Sequence, residues 1–340
     1  MKMKKTCLFL LSVLSLVLLL SATSSEIAEA ASKITLRVNV QQVKEHQTAQ
    51  AMMRIKKSVE ETTKGGLVLD VHTDSVLGDY TVMFEEAMLG TVDMTLQSLP
   101  GQYDPRLEMT FIPYLFTNYD EAGKVFAPGS NTYKVYEKIV AGHGLKAMGI
   151  FGEGFVCVAT TKEDKQYAET TSKKKLLLRV PAIETNRLIV ASMNYPTVTI
   201  NYSDLFSAMQ TGVCDGWLGG TAENNYLNFR DIIKYFYTYN CLMENNVMLM
   251  NLKSWEKLPK DYQKILYDAC IKEAVGSFKR SEEFDNKYID LLEKAKVKVV
   301  RLTDKQLNDV AEHVRKNTWG VIEKQLGKEV MDAVRKDMKK

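Results

Sequence analysis

Histidine and proline are scarce in this chain, four and seven among 340 residues. The histidines His46, His72, His143 and His313 lie far apart with no HExxH pair, so there is no zinc-hydrolase signature. Also missing are GxSxG, a GxGxxG that opens a helix after a strand, and a Walker phosphate loop. Those absences remove the usual sequence grounds for a hydrolase, a dinucleotide enzyme or an ATPase. The Gly152-Glu153-Gly154 turn is too short to cradle phosphate, and the carboxylate pairs Glu85-Glu86 and Asp120-Glu121 fall on helical stretches as solvated faces. The expectation is a protein that is not an enzyme and that carries no cofactor or metal.

Cysteine is sparse as well. Cys157, Cys214, Cys241 and Cys270 are too widely spaced for a zinc knuckle or a redox CxxC, and each sits in an apolar context as a small core residue. One disulfide stays open in an oxidising compartment. No excess of either charge exists: 45 basic against 42 acidic residues leave +3. No Lys/Arg stripe with interleaved aromatics appears, so nucleic acid is not a partner. The one dense basic run, Lys173 to Lys175, reads as a solvated strand entry.

The chain has a single long apolar run, Leu8 to Leu20, behind Lys2, Lys4 and Lys5. It is too short for an ordinary membrane-spanning helix but has the length of a signal-peptide core, and Ala28-Glu29-Ala30 supplies a small-x-small cleavage pattern. The segment 1–31 is therefore expected to be a cleaved leader that exports a soluble protein to the periplasm. No cysteine follows the apolar core, which argues against a lipid anchor.

What is present is an alternation of strands and helices, with 45% hydrophobic residues, enough for two cores and hence two lobes. Ile34 to Val40 alternates as a strand. Glu45 to Lys64 follows as an amphipathic helix with Thr48, Met52, Ile55 and Val59 on one stripe, and LVLDVHT as a second strand. A third strand is expected at Val92 to Leu96. Binding groups in α/β sheets sit at the carboxyl ends of strands, which nominates Asn39, Asp79 and Gln97 for one wall of a cleft. GLKAMGIFGEGFVCVATTK reads as a strand, a glycine-flexed turn at Gly152 and Gly154, and another strand, with the first crossing between lobes at that turn. Lys260 to Lys294 reads as one long helix of about 50 Å at ~1.5 Å per residue.

The most informative stretch runs from Lys173 to Asn225. Leu176 to Leu178 leads into Arg179, then Val180 and Pro181, then a helix from Glu184 to Met193. TVTINY makes a second strand, SDLFSAMQTG a helix with Ser203 as N-cap and Gly212 as C-cap, and VCDGWLGG a short strand breaking into a turn. Arg179 is a permanently charged planar fork at a strand-to-helix junction, fitted to hold a carboxylate in bidentate fashion. The alternative reading of that arginine is an ion pair with Glu184.

RVPAIETN, TVTINYSDLFSAMQTG and VCDG, in that order and spacing, resemble the signature region of the solute-binding proteins of TRAP transporters, the DctP family. The resemblance covers almost all of the chain after residue 33. It implies an α/β, two-lobed type II periplasmic binding protein fold with mixed sheets, hinge strands and a long bridging C-terminal helix. Lobe I would comprise 32–155 and 245–285, and lobe II 156–244 and 286–340. The implied function is a receptor that closes on an organic anion and delivers it to a TRAP membrane permease. A receptor for an ABC permease or a sensor kinase, or a secreted enzyme on a two-lobed fold, are the alternatives.

The resemblance makes Arg179 the ligand's carboxylate partner and Tyr202 an aromatic against the ligand. Two positions depart from the family. Val156 stands where many members have a second arginine, with Glu153 nearby as a candidate, and Gly219 stands where an asparagine reaches the ligand. Trp217 would then offer a flat apolar face, and Glu223 or Asn224 a polar group, to a ligand with an apolar or aromatic portion.

Overall fold

The computed structural model describes residues 33–116 and 118–339, so the expected leader lies outside the described residues. The first sheet is built from β1 (Ile34–Val40), β2 (Leu67–His72), β3 (Met94–Gln97), β4 (Leu145–Phe155) and, much later in the chain, β10 (Met243–Asn251). The second is built from β5 (Val158–Thr160), β6 (Leu178–Val180), β7 (Thr197–Thr199), β8 (Gly216–Leu218), β9 (Tyr235–Tyr237) and β11 (Lys298–Val300). Their orders are β2-β1-β3-β10-β4 and β11-β9-β5-β8-β6-β7. In the first, β1 pairs parallel with β2 and β3 while β10 runs antiparallel to β3 and β4. Each lobe thus has a mixed sheet, and the chain crosses between lobes at 156–157 and again at 238–242.

The helices follow apolar periodicity. α1 (Gln47–Thr62) buries Thr48, Met52, Ile55 and Val59 on one stripe, as its spacing of three and four residues requires. α2 (Tyr80–Leu89) is capped by Asp79, whose carboxylate accepts from Thr81 N–H. α3 (Tyr119–Val125) and α4 (Asn131–Gly142) complete the first lobe, α5 (Glu184–Ser192) and α6 (Leu205–Thr211) lie in the second, and α7 (Ala222–Asn224) and α8 (Leu252–Glu256) are single turns. α9 (Lys260–Lys294) is one unbroken helix of 35 residues. Its first half buries Leu266, Cys270 and Ala274 in the first lobe's core, and its last turns bury Tyr288 and Leu292 in the second's. α10 (Asp304–Leu326) begins with a Thr303–Gln306 capping box, and α11 (Lys328–Met338) ends the chain.

Several expectations are corrected. Gly152 and Gly154 do not form a turn; β4 runs unbroken through them. They are glycines because α9 lies against the strand: an added Cβ would stand 2.6 Å from Phe278 Cδ1 at Gly152 and 2.4 Å from Asp285 Oδ1 at Gly154. Ser203 is not an N-cap, since Tyr202–Asp204 form a 3-10 turn and α6 starts only at Leu205. Lys174 is not solvated but buried, with Nζ 3.5 Å from Asp164 Oδ2. The grouping of 286–340 with lobe II does not hold for the last helix. α11 packs on α4, where the Asp337 carboxylate accepts from Thr132 N–H at 2.7 Å, and Val330, Met331 and Val334 join the first lobe's core. Cys157, Cys214, Cys241 and Cys270 are all buried free thiols.

Candidate functional site

The two sheets direct the carboxyl ends of their parallel strands at one another, and a narrow cleft lies between them. From the first lobe come Gln41 and Gln42 just past β1, Ser98 just past β3, Glu153 near the end of β4, Tyr80 of α2 and Glu244 of β10. From the second come Arg179 and Pro181 at the end of β6, Asn186 of α5, Tyr202, and Trp217, Gly219 and Gly220 at the end of β8. Hydrogen bonds tie the lobes together around it: Asn224 Nδ2 donates to Gln42 Oε1 at 3.0 Å, and Ala182 N–H donates to the Tyr80 hydroxyl at 2.9 Å.

Arg179 is 2% exposed. Its Nε donates to the Ile200 carbonyl at 2.8 Å, while its Nη2, buried, has no partner. Among the described residues no carboxylate lies within 4.0 Å of the guanidinium. Glu184, the alternative partner, is bound to Arg187 instead. Burial pulls the guanidinium pKa down and the nearby Tyr80, Tyr202 and Asp79 pull it back up; an arginine stays protonated through such shifts. A buried cation with an unused donor is costly to maintain, and an incoming carboxylate would supply what it lacks.

The neighbouring wall is aromatic. Trp217 is buried, its indole N–H donates to Asn225 Oδ1 at 3.0 Å, and its ring centroid lies 5.9 Å from the Arg179 guanidinium. Tyr202 stands 6.1 Å from that ring, with its hydroxyl accepting from Asn228 Nδ2 at 3.1 Å. Gly219, with φ +137°, lets the chain turn over the indole; a Cβ there would be 2.8 Å from Trp217 Cζ3. The indole therefore fills the space that a side chain at 219 would need.

Of the residues singled out in the sequence, Arg179, Tyr202, Trp217 and Glu153 are brought together on the cleft. Asn39 and Gln97 are not: one residue before the end of β1 and at the last residue of β3, they are fully buried within the sheet, with Asn39 Nδ2 3.5 Å from Gln97 Oε1 and Gln97 Nε2 donating to the Tyr80 carbonyl. Asp79 caps α2 and lies 3.4 Å from Ser203 N–H. Glu223 lies behind the cleft, taking Gln47 N–H at 3.0 Å and Gln47 Nε2 at 2.8 Å. Sequence reasoning missed Gln42, Asn186 and Glu244. For Glu244 a signal existed: Glu244-Asn245-Asn246 interrupts the otherwise apolar strand LMENNVMLM.

Residues 39–325 match the sequence profile of DctP, described as bacterial extracellular solute-binding protein, family 7. The chain belongs to this family. Among curated relatives, the sialic acid-binding periplasmic protein SiaP of Vibrio cholerae is 22% identical over 258 residues, 75% of this chain and 78% of that protein. An uncharacterized protein of Haemophilus influenzae is 28% identical over 63% of this chain, and that match spans 64% of its length. Among solved structures, a TRAP periplasmic solute-binding protein of Desulfovibrio salexigens with bound orotic acid superposes with a TM-score of 0.82 at 22% identity, covering 90% of this chain and 98% of that one. Another, from Haemophilus influenzae with bound L-gulonate, has a TM-score of 0.82 at 20% identity over 90% and 99%.

In this family 7 solute-binding protein the floor of the cleft is acidic. Glu153 accepts from Thr48 Oγ1 at 2.8 Å and Asn246 Nδ2 at 2.6 Å. Thr48 N–H donates to His46 Nδ1, so the neutral ring carries its proton on Nε2, which lies 3.5 Å from Glu223 and 3.8 Å from Glu153. Burial lowers His46 to about 3, and burial raises Glu223 to about 8 and Glu244 and Asp285 to about 7. Burial, then the nearby Glu244, pushes Glu153 upward as well.

A carboxyl raised in the folded state keeps a proton that the unfolded chain has released. Stability from Glu223, Glu244 and Asp285 is therefore full below the ordinary carboxyl range and lost as pH rises to about 7 or 8. His46, with its pKa depressed, acts oppositely and only below about 6.5. Urea unfolding should show stability falling from roughly pH 4.5 to about 8, more gently below about 6.5 where His46 opposes, and Glu223→Gln should flatten that fall. An equal slope in the variant would mean that Glu223 is not protonated in the folded state.

Proposed function

We propose that this solute-binding protein is the extracytoplasmic receptor of a TRAP transporter, holding an organic acid anion between its lobes and delivering it to the membrane permease. The carrying observation is the buried Arg179 guanidinium, which faces the cleft with one donor unused and, among the described residues, no carboxylate within 4.0 Å. Solved relatives of the same fold hold orotic acid, L-gulonate and succinate, all carboxylic acids. In the proposed cycle the ligand's carboxylate pairs with Arg179 from the second lobe, Tyr202 and Trp217 line its flank, and Glu153 and its neighbours cover it from the first. Binding then favours the closed arrangement, which the permease reads. Action in the periplasm follows the proposed leader, and binding without turnover is expected.

The test is a thermal-shift screen of residues 32–340 against organic acids and their neutral amides. A ligand at 100 times its Kd adds about 2.7 kcal/mol of stability, an easily read rise. Acids should raise the midpoint and the matched amides should not; equal response to both would remove the carboxylate from the reading.

A further inference from the structure

The groups on the cleft are unevenly matched in charge. Against the single guanidinium of Arg179 stand two carboxyl groups, Glu153 and Glu244, and Val156, beside the crossing, is buried in the second lobe's core and adds no cation. A ligand whose first carboxylate met Arg179 would bring any second carboxylate beside these two carboxyl groups, with no second cation on the cleft to pair with it.

The hydrogen-bonding state of the two acids differs. Glu153 is occupied by side chains of its own lobe: Thr48, Asn246 and, at 3.4 Å, Gln42. Glu244, 8% exposed, accepts only backbone N–H groups, those of Asn245 at 3.3 Å and of Gly220, although a carboxylate has about four acceptor sites. Asn186, 1% exposed, has a buried Oδ1 with no partner. Among the fully buried side-chain atoms of the residues on the cleft, Arg179 Nη2 is a donor and Asn186 Oδ1 an acceptor without a partner, and beside them Glu244 is met by backbone N–H groups alone.

Resting on the carboxylate reading of Arg179, we propose that the ligand is a nitrogen-bearing monocarboxylic acid whose N–H donors, an ammonium or an amide or ring N–H, face Glu244 and Asn186, and that dicarboxylates are excluded. A zwitterion adds no net charge to a cleft with more acids than bases. A hydroxy acid, an anion like an amide acid, offers one O–H donor to the two acceptors Glu244 and Asn186, where a primary amide offers two and an ammonium three. A dicarboxylate places its second anion among the acids.

The test uses matched acids that share a skeleton and differ at the far end: 4-aminobutanoate, succinamate, 4-hydroxybutanoate and succinate, then the same four ends on three- to six-carbon chains and on a six-membered ring. Binding is read by calorimetry on wild type, Arg179→Ala and Glu244→Gln, with circular dichroism as the control for folding. The expected result is that the N–H-bearing member of a set binds at least tenfold tighter than its hydroxy and dicarboxylate counterparts. Glu244→Gln should weaken that ligand 10- to 100-fold and leave succinate unchanged or tighter. If dicarboxylates or hydroxy acids bind best and Arg179→Ala abolishes their binding, the carboxylate reading stands and this inference is overturned. If no acid binds in an Arg179-dependent way, both fall. A Glu244→Gln variant that folds and keeps the wild-type preference also overturns it.

Discussion

Arg179→Met is expected to abolish ligand binding while leaving the empty protein at least as stable as before. A structural arginine would do the opposite, because its removal would strand a buried carboxylate. Here the guanidinium is bound to the Ile200 carbonyl through Nε and carries an idle Nη2, and no carboxylate of the described residues stands within ion-pair distance of it. Replacing an uncompensated buried charge with an apolar side chain of similar length removes a desolvation cost. On the ligand side, truncating one partner of a desolvated charge pair costs about 2–5 kcal/mol, a loss of roughly 30- to several thousand-fold in affinity. Calorimetry and thermal unfolding on the same samples read both halves. Arg179→Lys should recover only part of the binding, since an ammonium cannot reproduce the two-pronged fork. A midpoint that drops sharply in the methionine variant would show that the arginine supports the fold.

Gly154→Ala should be strongly destabilising for the addition of a single methyl group. The position combines φ of +133°, which L side chains rarely adopt, with a Cβ that would sit 2.4 Å from Asp285 Oδ1. Asp285 cannot easily retreat: its carboxylate accepts from Phe155 N–H at 2.8 Å and from the Tyr119 hydroxyl at 2.9 Å. Backbone strain and overpacking each cost about 1–3 kcal/mol, so a loss of roughly 3–5 kcal/mol is expected. That lowers the melting midpoint by about 5–8 °C in a chain of this size. Gly320→Ala is the contrast, in a helix with nothing within 4 Å of the new methyl, and should stabilise by about 0.5–1 kcal/mol. Equal effects of the two changes would mean that α9 does not press on β4.

The same strand shows where sequence reading ran out. The long periodic helices were legible: α9 spans Lys260–Lys294 as its apolar spacing required, and the Thr303–Gln306 capping box opens α10. Gly152 and Gly154 were misread because glycine signals either a turn or a close approach, and only the tertiary structure tells which. Lys174 misled for a similar reason, since its acidic partner Asp164 is met only because the connection between β5 and β6, which holds both, folds back on itself. In the cleft, Arg179 could be found from its strand-end context and its resemblance to a family. The strand-end rule placed the first-lobe wall too early, at Asn39 and Gln97, where the side chains still belong to the sheet; Gln41, Gln42 and Ser98 beyond them face the gap. Glu244 was hidden by pairing, because β10 joins the first sheet from late in the chain and nothing local tells which of its polar residues faces the other lobe.

α9 also sets the mechanics of any opening. Both lobes are fastened to one continuous rod, by Leu266 and Ala274 at one end and Tyr288 and Leu292 at the other, and β4 rests directly on its middle through three glycines. Two bodies joined only by loose strands could swing apart freely. Two bodies clamped to the same beam can separate only as far as the beam flexes, and long helices bend gently rather than fold without a proline, a bulge or an inserted side chain to kink them. α9 is then a leaf spring: it limits the gape, returns a restoring force and makes the binding constant depend on its stiffness. Evolution could therefore retune affinity for a solute from the back of the molecule without touching a residue that meets it.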